Sequence, residues 1–156
     1  MNESQHSDAS RVVAHMNDGR ILRGATQDFF PNRAMFHLIA ADGGATLELR
    51  TKELKGLFFV RAFGGNPTRK DVRGFIAGPQ ETSQGKKIAV LFKDGELLCG
   101  YSLSFMPDRE GFFLFPADKG SNNVRVYVVM KSTKEVKAGP MADALATRLL
   151  AERGES

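Results

Sequence analysis

The stretch DGRILRGATQDFFPNRAMFHLIAADGG, Asp18 to Gly44, returns 76 positions later as DGELLCGYSLSFMPDREGFFLFPADKG, Asp94 to Gly120. Twelve positions are identical across that offset: Asp18/Asp94, Gly19/Gly95, Leu22/Leu98, Gly24/Gly100, Phe29/Phe105, Pro31/Pro107, Arg33/Arg109, Phe36/Phe112, Leu38/Leu114, Ala41/Ala117, Asp42/Asp118 and Gly44/Gly120. They are turn, core and corner types, the kind a folding unit repeats when it is used twice. The reading that follows is two copies of one small β unit. Each copy spans roughly 55 to 65 residues, a size that alone buries only about 60% of its unfolded surface. The two copies are therefore expected to pack on each other.

Outward from that stretch the pattern is strand and turn. Arg11 to Asn17 is mostly apolar, Asp18-Gly19 follows, and Arg20 to Thr26 continues beyond it, a hairpin signal. Lys86 to Lys93, Asp94-Gly95 and Glu96 to Ser102 repeat it. Gly24 and Gly100, inside the second strands, read as a bulge or bend where a small barrel curls. Met35 to Ala40 and Gly111 to Pro116 are third strands. Thr46 to Arg50 and Lys52 to Val60 complete the first copy, and Asn123 to Met130 and Ser132 to Lys137 the second, with Val124, Val126 and Val128 facing one way. Lys52-Glu53-Leu54-Lys55 matches Lys134-Glu135-Val136-Lys137 at an offset of 82, which gives the second copy six extra residues ahead of that point. Five short strands per copy with frequent turns argue for all-β barrels. From Pro140 the spacing changes to that of a helix running to about Glu152, with Met141, Leu145, Leu149 and Leu150 on one face. It reads as a cap over a barrel end or sheet edge, against the alternative of a partner-binding helix.

The expected organisation is a disordered tail (1–10), a first repeat (11–60), a connector containing Gly and Pro (61–85), a second repeat (86–138) and a C-terminal helix and tail (139–156). The chain of 156 residues carries a formal net charge of +4. Six basic residues against Asp71 and Glu81 lie from Arg61 to Lys87, so the connector and the first residues of the second repeat together hold the whole excess. A single cysteine, Cys99, excludes an internal disulfide framework, and its apolar neighbours predict a buried, inert thiol. The start of the chain reads as neither signal peptide nor anchor, and no apolar run approaches the roughly 20 residues that cross a bilayer. The expected location is the cytoplasm, with no membrane contact.

Val12-Val13 through Asn17-Asp18-Gly19-Arg20-Ile21-Leu22-Arg23-Gly24 and Phe29 resembles the first signature of Sm-like small β-barrels, and Ile88 to Gly100 with Phe105 does so equally. The resemblance implies two tandem Sm-like five-stranded small barrels packed together. It does not carry that family's uridine site, because Phe29-Phe30 with Ala34, and Phe105-Met106 with Glu110, stand where an Asp and an Asn would hold bases. Asp28 to Arg33, Leu54 to Val60 and Gly111 to Asp118 also resemble an uncharacterised bacterial family, which implies no activity.

His6, His15 and His37 lack ligand spacing, so no metal is expected, and no phosphate loop or dinucleotide motif implies a cofactor. With no acid, base and nucleophile assembled, the expected role is non-catalytic: an adaptor or regulatory module that binds a protein partner across the surface between the repeats. Two sets of residues are candidates. Arg69-Lys70-Asp71-Val72-Arg73 sets two guanidinium groups one helical turn apart and resembles the arginine motif of PilZ domains, which bind cyclic di-GMP. It makes Arg69, Lys70 and Arg73 candidates for a nucleotide or RNA, although the Ser102 to Pro107 stretch lacks the rest of that motif. The corners Asn32-Arg33 and Asp108-Arg109 are candidates for an interaction surface, or for bridging and capping inside each copy. The oligomeric state is open.

Overall fold

A computed structural model describes residues 9–64, 74–75 and 79–154. The chain is mostly β, with one C-terminal helix. Its strands are β1 (Ser10–Met16), β2 (Ile21–Thr26), β3 (Met35–Ala40), β4 (Thr46–Arg50), β5 (Leu54–Val60), β6 (Glu81–Thr82), β7 (Gly85–Phe92), β8 (Leu97–Ser102), β9 (Gly111–Pro116), β10 (Asn123–Val129) and β11 (Thr133–Ala138). Helix α1 (Pro140–Glu152) closes the chain. Three-residue 3-10 turns, Thr51–Glu53 and Met130–Ser132, lead into β5 and β11. The Asp-Gly hairpin turns form as the sequence requires: Gly19 and Gly95 have φ of 95° and 97°, a region that L side chains avoid.

All pairing is antiparallel, in the order β11-β7-β8-β9-β10-β5-β1-β2-β3-β4, with the short β6 also on β7. Each half thus has one internal order: fifth strand, first, second, third, fourth. The sequence leads one to expect two packed barrels, yet the halves meet strand to strand, β5 against β10, in one continuous open sheet. The physical reason is side-chain alternation along two apolar strands. Phe59 and Tyr127 point into a core with Val12, Ala14, Met16, Phe36 and Leu38. Phe58 and Val126 point the other way, into a core with Ile88, Val90, Phe92, Phe112 and Leu114. Each core therefore contains residues from both halves.

Register corrects the offset of 82. Met35 faces Arg50 and Gly111 faces Val129, so the offset passes from 76 to 79 and the second half gains three residues here, not six. Lys52 and Glu53 lie in a 3-10 turn whereas Lys134 and Glu135 lie in β11, so the two similar strings occupy different places. The gain falls in the loop before β10, where Asn122 clamps the first half: its Oδ1 accepts from Ala62 N at 3.0 Å and its Nδ2 donates to Ala62 O at 2.8 Å.

Helix α1 occupies the bounds expected of it and lies on the outer face of β7 and β8. Ala142, Leu145, Ala146 and Leu149 cover Ala89, Leu91 and Cys99. Met141, placed on the buried face by spacing, is 58% exposed, and Ala142 takes the buried position instead. Gly139, with φ of 65°, turns the chain from β11 into α1, and Leu145, Leu149 and Leu150 are buried as their spacing predicts.

Candidate functional site

At the junction, the side of β10 that carries Tyr127 also carries Arg125, opposite Phe59 of β5. Its guanidinium lies 4.3 Å from the Phe59 ring centroid and 4.6 Å from that of Phe113 on β9, a cation held between rings from the two halves. Burial pulls its pKa down, and among the described residues no carboxylate pairs with it. Partly desolvated cations are ordinarily paired, so this one has donors to spare.

Both corner loops reach the same rings. Phe29, ahead of the first corner, lies 6.2 Å from Phe59, 6.3 Å from Phe113 and 5.1 Å from Tyr127. Ser104, ahead of the second, accepts from Phe113 N at 3.1 Å, and Ser102 Oγ donates to Phe113 O at 2.6 Å. The corners share one turn: Arg33 N donates to Phe30 O at 2.9 Å and Arg109 N to Met106 O at 3.1 Å. Asn32, Arg33, Asp108 and Arg109 are all exposed. Neither arginine forms an ion pair among the described residues, and Arg33 lies over the Phe30 ring at 4.9 Å. Each corner therefore presents a basic group beside a large apolar one, Phe30 (46% exposed) or Met106 (47% exposed). Arg69, Lys70 and Arg73 fall outside the described residues.

A second contact joins the halves and is already satisfied. Lys55 of β5 lies over the Phe92 ring at 4.7 Å, meets Asp94 Oδ2 at 2.7 Å and also binds Glu96. Burial would lower the Lys55 pKa, but its two carboxylate hydrogen bonds outweigh that and raise it. His37 lies 2.6 Å from Asp28 on the surface, and that hydrogen bond raises its pKa. His15 stacks near Phe58 at 4.4 Å and its pKa is lowered, first by burial and then by Lys55. No group of three His, Cys, Asp or Glu that could hold a metal ion occurs among the described residues, nor does a helix long and apolar enough to cross a membrane.

Sequence reading named both corners and missed Arg125. The signal was present, a lone arginine inside an apolar strand, but its meaning depends on Phe59 and Phe113, distant in sequence and adjacent only through the β5–β10 pairing.

These features define a mostly-β chain with a cationic, aromatic seam between two halves of like strand order. The chain belongs to a family of unknown function, DUF6982, which matches residues 8–139. Neither the curated proteins nor the solved structures hold a match to it.

Proposed function

We propose that the chain is a tandem pair of Sm-like small barrels acting as a non-catalytic adaptor or regulatory module, and that it takes an acidic segment of a protein partner across the junction. The tandem reading is supported by the shared strand order of the halves. The observation that carries the binding role is Arg125, a partly desolvated guanidinium between Phe59 and Phe113 without a carboxylate among the described residues. A partner carboxylate there gains a charge-assisted hydrogen bond, about 1.5–3 kcal/mol, and the apolar–basic corners at Phe30/Arg33 and Met106/Arg109 extend the contact. Peptides rich in Glu and Leu, titrated into isotope-labelled protein, should shift the amides of Phe59, Phe113 and Arg125. Arg125→Ala should weaken them about tenfold or more, by the same charge-assisted bond. Perturbations confined to other surfaces sink the reading.

The alternative is recognition of cyclic di-GMP or RNA through the connector, favoured by the Arg69 to Arg73 spacing. It predicts binding that falls steeply with salt and is lost in Arg73→Ala but retained in Arg125→Ala.

A further inference from the structure

Arg11 and Lys87 stand 76 residues apart in sequence and at the same place in their halves: Arg11 faces Ala25 across β1 and β2, and Lys87 faces Tyr101 across β7 and β8. Their surroundings differ. The Lys87 side chain is 4% exposed, and its ammonium lies 2.9 Å from Asp143 Oδ1 and 4.9 Å from the Phe75 ring centroid. Gln80 donates to the other Asp143 oxygen at 2.7 Å, and the Tyr101 hydroxyl donates to Pro79 O at 3.0 Å. A basic group, an aromatic ring and a carboxylate thus complete one another.

Among the described residues, the same place beside Arg11 is open. Alanine replaces Tyr101, and β5 is followed by Arg61, Ala62 and Phe63 where β11 is followed by a helix bearing Asp143. What results is a cleft of about 570 Å³ with walls that include Ala25, Ile39, Ala41, Val60 and Phe63. Ile39 is 45% exposed there. The Arg11 guanidinium lies 5.7 Å from the Phe63 ring centroid and donates to the Arg61 carbonyl, and among the described residues it has no carboxylate. Among the described residues the base and the ring are present and the acid is missing.

We propose that this cleft binds a small organic acid, a flat apolar body carrying one carboxylate, with the body against Ala25, Ile39 and Phe63 and the carboxylate on Arg11. The volume falls in the range of small-molecule sites, and an apolar wall with one oriented cation is the composition such a ligand needs. A planar fork suits a carboxylate better than it suits a single-point anion.

The test is a ligand-observed and protein-observed NMR titration of the full chain with 2-naphthoate, and with 2-naphthamide as the uncharged match. The acid should shift the amides of Ile39, Ala41 and Phe63, and the amide should bind at least tenfold more weakly. Arg11→Gln should remove that preference, and Ala25→Tyr should abolish binding by filling the cleft as Tyr101 does in the other half. Arg125→Ala should leave the naphthoate-induced shifts of Ile39, Ala41 and Phe63 unchanged, which separates this site from the junction. Equal binding of acid and amide, naphthoate binding that survives Arg11→Gln, or no shift in the cleft with millimolar acid would each overturn the proposal.

Discussion

At the scale of single residues, two glycines show how the sequence constrains the backbone. Neither Gly24 nor Gly100 has a positive φ; what each requires is room. A Cβ at Gly24 would sit 2.2 Å from Ile39 O, and one at Gly100 would sit 2.1 Å from Phe115 O. The third strand of each half crosses the second there at backbone contact, which is why a bend is legible at both positions while its cause is not. Gly100→Ala and Gly24→Ala should each destabilise the chain by about 1–3 kcal/mol, as overpacked sites do. Gly43→Ala, with no atom within 4 Å of the added methyl, should be neutral in the same denaturant titration. Legibility follows locality. The Asp18-Gly19 and Asp94-Gly95 turns, the Phe36/Phe112 and Leu38/Leu114 core positions and the Arg33/Arg109 corners are stated by adjacent residues. Arg125 is not legible because the valines flanking it set the strand pattern, and a bulge between Asn123 and Arg125 leaves Val124 43% exposed although it shares the alternation of Val126 and Val128. Nothing local marks that bulge.

Among the elements, α1 is the clearest case of a part whose existence was readable and whose seat was not. Pro140 and the leucine spacing announce the helix, but the site it covers depends on Gly139 and on the ion pair between Asp143 and Lys87. Burial alone would raise the Asp143 carboxyl; hydrogen bonds from Gln80 and Lys87 outweigh it and hold the pKa below the usual carboxylate value. A folded pKa below the unfolded one means that this contribution is present above the usual carboxylate range and is lost as pH falls through the depressed value. Asp143→Asn should therefore lower stability at neutral pH and flatten the acid limb of the stability profile, read by thermal melts between pH 3 and pH 7. The variant also leaves Lys87 without its carboxylate, which adds to the loss at neutral pH. Under the same helix lies Cys99, whose thiol burial pushes up to about 12. A thiol reagent at pH 8 should leave Cys99 unmodified in the native chain. Leu145→Asp, which puts a charge into the contact with Ala89 and Cys99, should expose it to modification within minutes under native conditions, and equal labelling of both proteins would show that the helix is not its cover.

For the whole molecule, the question is why the strand-to-strand joint is made once. The sheet ends at β4 and β11, which stand in their halves as β10 and β5 do at the junction, so a second copy could in principle add on through β4 and β11. The residues at those edges oppose it. Where β10 has Arg125, Tyr127 and Val129, β4 has Thr46, Glu48 and Arg50; where β5 has Gly56 and Phe58, β11 has Glu135 and Lys137. In the register of the internal joint, Leu47 would meet Lys137, Leu49 would meet Glu135 and Arg50 would approach Lys134. The turn contact fails as well. Lys55 grips Asp94 and Glu96, but Lys134 would meet Asp18, already tied to Arg20 at 2.8 Å, and Arg20 itself, a like charge in the place of Glu96. Charged side chains at an otherwise free strand edge are the usual means of stopping sheet extension. The chain should therefore run at the mass of one copy in light scattering up to high micromolar concentration, and a stable dimer or ring at those concentrations would refute the argument. Restoring the internal residues at the ends, with Arg20→Glu, Glu48→Tyr, Glu135→Gly and Lys137→Phe together, should produce concentration-dependent head-to-tail association, because the joint that now closes within one chain would then be open to the next.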